Sequence, residues 1–421
     1  MTISTRPSTA ARAPIVRNSE QVAQSGASRP ILEGLYAAPP RLVAEPAPSA
    51  LAPAVADPRE VAYQRALSAH TAAFTSWQNE HAKPYWARVS ETRTERRARP
   101  WTEQHQGPFV DTHPPLYSGP PKPNRADFGL DPDPPRPTRR IADFVSAARD
   151  QGYRFDFAPQ DATAAQAGAF ETQFRRRYVQ AALAAGFNRD QTVGVYVFET
   201  GGDGRHTELH PNSAAVGYAQ LLIANSITTT VAEGQAIADR LRAQGLTAKA
   251  DLVLRMRADI LRANGGRPPT WEHAEGVMSA TPLGRAVHAA NLDLDIGPQL
   301  QITKLMKTAS DYRDYSRRTN TQRELTAEIL EAMNLGGPVN GFWLGHPRTA
   351  ERLTVNFFLR NGYEGNPVLS ELVDGERRAR TAGGFMTRMS EIMHGERRTR
   401  AGTQEIMRIF DELSPPTPPA R

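Results

Sequence analysis

Most of the 34 prolines lie in the first 140 of the 421 residues, and they set the first limit on how this chain folds. Proline fixes φ and lacks an N–H, so it stops helices and is excluded from central strands. Ala, Pro, Ser and Arg fill 1–57 without periodicity, and PPLYSGPPKPNR and DPDPPRPTRR make 100–138 read as extended linker. Such a composition buries too little apolar surface to fold. The reading is a disordered arm over 1–140, interrupted by a possible helix over 58–90, where Val61, Leu67, Ala72 and Phe74 roughly share a face.

The remainder reads as mainly α. ADFVSAARDQGY is a short helix, and 160–186 is a longer one with Phe170, Phe174, Tyr178, Ala181 and Leu183 on one face. Asn188 can cap the next helix, Asp190 suits its first turn, and Gly201-Gly202 can end it. VGVYVF within it is the best strand-like run of the chain. Further helices are expected at 226–244, 246–264, 271–290, 296–312, 321–334, 348–361 and 380–394. The folded unit is expected at 141–412, with a tail at 413–421. GERRAR at 375–380 and GERRTR at 395–400 read as solvated basic turns, because two copies do not make a repeat fold.

Charge and composition narrow the function classes. The net charge of +6 suits an anionic polymer, though only five basic residues are Lys and the Arg-rich C-terminus lacks interleaved aromatics, which argues against nucleic acid. There is no Cys, hence no disulfide or Cys-based metal site. No run of eighteen apolar residues suggests a membrane span. The N-terminus lacks an apolar signal region, so the expected location is periplasmic or secreted by a route without a cleavable signal. Its Ser/Thr/Arg-rich opening is similar in composition to type III secretion signals.

The stretch VYVFETGGDGRHTELHPNSAAVGYAQLL, 195–222, carries the chemistry. Glu199 follows Tyr196, Val197 and Phe198 at a helix end, and apolar surroundings raise a carboxyl's pKa. A Glu kept protonated near neutral pH can donate to a glycosidic oxygen. His206 and His210, four apart, invite a metal reading, but they lie in loop sequence; no metal and no cofactor is expected. Asp203 and Glu208 are candidates for a second carboxylate. Phe342, Trp343, Tyr363 and Phe385 could stack on sugars, although aromatics at helical spacing more often form core.

This stretch resembles the soluble lytic transglycosylase family, which has a lysozyme-like fold. The family's helix ends in Glu-Ser, and a loop leads to Ser-x-x-Gly-Ala-x-Gly-Leu-Met-Gln-Leu. The matching residues are Glu199-Thr200, Ser213, Ala215, Gly217, Gln220 and Leu221, with Tyr218 and Ala219 in place of Leu and Met. Ile296 and Gly297 match the family's Asn-Ile-x-x-Gly helix, and Asn361, Gly362 and Tyr363 fall about where its Tyr-Asn-Ala-Gly motif is expected. The resemblance implies a lysozyme-like domain with a helical insertion at 225–291, shaping the cleft or covering it. It implies Glu199 as the acid/base, and Thr200, Ser213, Gly217, Tyr218, Gln220 and Tyr363 as substrate-binding residues. The implied reaction cuts the β-1,4 bond between N-acetylmuramic acid and N-acetylglucosamine in peptidoglycan, with no cofactor. Two alternatives stay open: a hydrolytic muramidase using Asp203 or Glu208, and a non-catalytic secreted effector or scaffold. The expected partners are glycan strands and, through the arm, components of a secretion apparatus or phage particle.

Overall fold

In a computed structural model, residues 57–132, 140–159, 161–210 and 214–414 are described below. The expected disorder of 1–56 and of the last residues lies outside this set, as does Ser213. Helices dominate: α1 (Pro58–Trp77), α2 (Lys83–Arg97), α3 (Ile141–Asp150), α4 (Ala164–Ala184), α5 (Arg189–Thr200), α6 (Ile223–Ala243), α7 (Thr247–Ala263), α8 (Trp271–Gly276), α9 (Pro282–His288), α10 (Ile296–Arg318), α11 (Ala327–Gly336), α12 (Pro338–Leu344), α13 (Arg360–Gly365), α14 (Ala382–His394) and α15 (Ala401–Leu413). A hairpin of β1 (Ser370–Val373) and β2 (Glu376–Ala379) precedes α14. Its turn is Asp374-Gly375, both at positive φ, as a tight hairpin requires. No described helix is long and apolar enough to cross a membrane.

The strand-like run VGVYVF is helical, and burial explains why. Val193, Val195, Tyr196 and Val197 are each fully buried, so α5 is apolar nearly all round and runs through the middle of the molecule. Its start is fixed locally: Asn188 Oδ1 accepts from Gln191 N at 2.8 Å, and Gln191 Oε1 accepts from Asn188 N at 3.0 Å. Gly201, at φ 68°, ends it. Gly194 lets α11 come close, since a Cβ there would stand 2.6 Å from Ala327 Cβ. The two helices run in the same sense from that contact, which brings the residues near the end of α11 beside the end of α5.

Three apolar cores lie along α10. Ile296 and Leu300 join a first core with α3, α6, α7 and α9; Ile302, Leu305 and Ala309 join the central core with α4, α5 and α15; Tyr312 joins a third with α11, α12 and α14. The insertion at 225–291 thus spends its apolar face, Leu241, Met256 and Ile260 among it, on a core shared with α3, the start of α10 and the loop residues Val216 and Leu221.

The largest departure from the sequence reading concerns residues 57–132. The possible helix is longer than expected, α1 and α2 joined through one wide turn at Gln78–Ala82. The Pro-rich stretch after it is packed rather than free. Trp101 O accepts from Trp343 Nε1 at 2.9 Å, and Val110 exchanges two hydrogen bonds with the Asn356 side chain. Composition hid this because a Pro-rich segment can bury single aromatics without any periodic pattern. The folded unit therefore does not begin at Ile141. Two expected helices also differ. Residues 271–290 break where Thr281 caps a new helix opening on Pro282, and 348–361 forms only short turns at Pro347–Thr349 and Thr354–Asn356 before α13. GERRAR forms β2, and GERRTR includes a tight turn at Glu396–Thr399.

Candidate active site

Glu199 lies one residue before the end of α5, and α11 supplies what faces it. Asn334 Nδ2 donates to Glu199 Oε1 at 2.9 Å and to Glu331 Oε1 at 3.0 Å, so one amide bridges two carboxylates. Glu331 and Asn334 are three residues apart and share a helix face. Lys304 of α10 and Tyr178 of α4 complete the group. Glu199, Asn334 and Lys304 reach the surface in part, whereas Glu331 is fully buried. The cluster therefore has an open edge at Glu199 and a sealed back at Glu331.

The back is short of hydrogen bonds. Glu331 Oε2, Asn334 Oδ1 and Tyr178 Oη are all buried without a protein partner. Desolvation raises the carboxyl of Glu199, while hydrogen bonds from Glu331 and Asn334 and the charge of Lys304 moderate the rise. Glu331 is pushed well above the ordinary carboxylate range, by burial first and by the charge of Glu199 second. Burial pushes the Lys304 amine down, and the two carboxylates hold it up.

The loop after Glu199 is tied down by a second buried network. Glu171 of α4 accepts from the Tyr218 hydroxyl and pairs with His206 Nδ1 at 2.7 Å; Arg175 pairs with Glu405. Burial works against the charge of Glu171, but His206, Tyr218 and Arg175 hold its carboxyl below the usual range. Tyr196 Oη donates to Gly204 O at 2.9 Å, and Gly402 N donates to Asp203 Oδ1 at 2.9 Å. Antiparallel bridges join Leu209 to Val216 and Val216 to Leu221. His206 is thus a buried structural side chain, stacked on Phe174.

The structure brings only part of the expected set together. Among the described residues, neither Asp203 nor Glu208 shares a hydrogen bond or ion pair with Glu199: Asp203 caps α15, and Glu208 is exposed in the loop. Thr200 Oγ1 donates back to Tyr196 O at 2.6 Å. Tyr218 is fully buried against Tyr178 and Tyr196, so it supports the loop instead of binding substrate. Tyr363 is 5% exposed and packs on Trp86, which makes it core as well. Gln220, at φ 41°, turns its amide onto Gly217 O at 2.9 Å rather than onto Glu199. Gly217 makes room for Gln301, whose Nε2 would lie 2.4 Å from a Cβ, and sits at φ 84°. Gly217→Ala is therefore expected to destabilise by about 1–3 kcal/mol, read as a lower urea midpoint at unchanged slope.

Glu331, Asn334 and Lys304 were not singled out from the sequence. The available signal was an acid inside the apolar run ILEAM, followed by Asn-Leu-Gly-Gly. Among known proteins, no family model, curated sequence or solved structure matches this chain.

Proposed function

We propose that the protein cleaves peptidoglycan glycan strands by the lytic transglycosylase reaction, with Glu199 as general acid/base on a lysozyme-like helical fold. The observation that carries this reading is a single carboxylate at the open edge of the cluster, oriented by the Asn334 amide and kept protonated more readily by burial. Protonated Glu199 would give its proton to the glycosidic oxygen as the C1–O bond breaks. The 6-hydroxyl of the same muramic acid attacks C1, and Glu199, now a carboxylate, takes its proton. No water and no cofactor enter. The resemblance of 195–222 to the family supports the assignment. Asn334 is in contact with Glu199, whereas among the described residues Asn361, Gly362 and Tyr363 share no hydrogen bond with it.

A hydrolytic muramidase is less well supported. Its second carboxylate must reach the sugar or a water beside it, with carboxyl groups roughly 5–9.5 Å apart. Asp203 and Glu208 are engaged or placed elsewhere, and Glu331 is sealed from the surface. A non-catalytic effector on the same fold would not need the Glu199–Asn334 pairing. The periplasmic or secreted setting, and partners in a secretion apparatus or phage particle, belong to the same proposal. Digestion of purified peptidoglycan tests it: products should end in 1,6-anhydro sugars, lighter than reducing ends by one water. Reducing ends would favour the muramidase, and no products from folded protein the effector.

A further inference from the structure

We propose that the end of α2 is an anion-binding site: Arg93, Arg96 and Arg97 hold a phosphate group, free or carried by a larger molecule, beside the turn at Thr354–Asn356. None of the three belongs to the Glu199 cluster, and the site does not depend on glycan cleavage. Tyr85, Val89 and Arg93 follow one another at four-residue steps on one helix face. Tyr85 and Val89 bury with Val110, as the apolar stripe of a helix should. Arg93 continues that stripe at 3% exposure, a cation where the pattern asks for an apolar side chain. Arg96 is 3% exposed as well.

No acid of the fold neutralises these two cations. Arg93 Nε and Nη1 are sealed from solvent without a hydrogen-bond acceptor, and so is Arg96 Nη1. Arg96 Nη2 donates to Asn356 O, and its guanidinium lies 4.7 Å from the Phe109 ring centre. Those contacts hold the group in place without cancelling its charge. The charges that act on Arg93 are those of Arg97 and Arg96, both of its own sign; burial and these two push its guanidinium down to about 9. Burial and Arg97 lower Arg96 to about 10. Glu91, Glu95 and Glu103, acids close by in sequence, are exposed, and among the described residues none pairs with either arginine. The end of a helix favours cations, but its carbonyls give Arg93 no hydrogen bond. Arginine keeps its proton at neutral pH, so the two charges stay, and a buried cation without a counter-charge is costly.

The ligand chemistry that fits is narrow. Three guanidinium groups within about one helical turn offer planar forks of donors, which match the oxygens of a phosphate. A dianion offsets three positive charges better than a single carboxylate does. Arg97 is partly exposed and opens the cluster to the surface.

Thermal unfolding of the full-length protein in inorganic phosphate tests the site, with chloride at matched ionic strength as reference. A ligand that binds only the native state should, at a hundredfold excess over its dissociation constant, raise the midpoint of a chain this long by about 3–4 °C. Arg93→Met keeps the stem and removes the charge. In phosphate-free buffer its midpoint should equal or exceed that of the wild type, because the buried unpaired cation is gone, and phosphate should no longer lift it. An Arg93 with only a packing role would instead lower the midpoint equally in both buffers when replaced, and that result overturns the proposal. Should Arg93→Met fail to fold, Arg97→Met, at the open end of the cluster, must lose the phosphate-dependent rise. Calorimetric titration with inorganic phosphate and with glycerol phosphate separates the two sources: both bind if the site takes a phosphate ester of a larger molecule, and inorganic phosphate alone binds if it takes the free anion. No phosphate-specific rise in the wild type also overturns the proposal. So does an equal rise in wild type and variants, which is the general effect of an excluded salt.

Discussion

Replacing Glu199 with Gln is expected to lower glycan cleavage by at least about 10²–10⁴-fold, the usual contribution of general acid catalysis, while leaving the protein folded. Gln has the same size and can accept from Asn334 Nδ2 as the carboxylate does. It cannot give up a proton. Stability should move the other way. Folding raises the carboxyl of Glu199, so the native state binds more proton than the unfolded chain. Stability from this group is then greatest below the ordinary carboxylate pKa and falls as the pH rises through the raised value. The variant escapes that fall, so its thermal midpoint should gain on the wild type as the pH rises from acid toward neutral. Full activity in Glu199→Gln would remove Glu199 from the chemistry and leave the effector reading in front. A midpoint difference that does not change with pH would show that the carboxyl is not perturbed.

How much of this was legible in the sequence depends on whether the signal was local. The start and stop of α5 were readable because Asn188, Gln191 and Gly201 act within one or two turns of the chain. The strand-like character of VGVYVF misled only slightly, since complete burial overrides β-propensity. Glu199 was legible as an acid behind three apolar residues. Its partners were not, because Lys304 and Glu331 arrive from helices more than one hundred residues further along. The apolar run ILEAM around Glu331 was the one local hint, and it named no partner; the partner appears only when α5 and α11 meet at Gly194. Two members of the substrate-binding set were hard to read for the opposite reason. Tyr218 and Tyr363 carry side chains that suit a sugar site and a core equally well, and the three-dimensional packing assigned both to core. The arm was misjudged because proline content was taken as a measure of disorder, whereas Trp101, Phe109 and Val110 needed only three places to bury.

Deleting residues 1–140 is accordingly expected to abolish cooperative folding, and deleting only 1–56 to leave the thermal midpoint nearly unchanged. The longer deletion strips the third core of one side. Trp101 packs on Tyr315 at a ring separation of 4.5 Å, Trp86 on Tyr363 at 5.6 Å and Phe109 on Phe357 at 6.2 Å, each pair tilted. Fully burying one large apolar side chain contributes about 1.5–3 kcal/mol; these three are partly buried, so losing them from α2 and the Pro-rich stretch removes part of that from each, a sizeable share of the roughly 5–15 kcal/mol that holds a native protein together. Polar groups suffer too. Asn356, fully buried, loses both hydrogen bonds to Val110, and Trp343 loses the acceptor for its indole N–H. The shorter deletion removes a segment whose composition gives it little apolar surface to bury. Thermal and urea unfolding of the two fragments, followed by near-ultraviolet circular dichroism, separates the cases: the rings at issue are the chromophores. A fragment starting at Ile141 that unfolds cooperatively with the midpoint of the whole chain would mean that residues 57–132 only rest on the body. A loss of near-ultraviolet signal together with the cooperative transition would place them inside the folding unit, and any attempt to isolate the Glu199 site would then have to begin at Asp57.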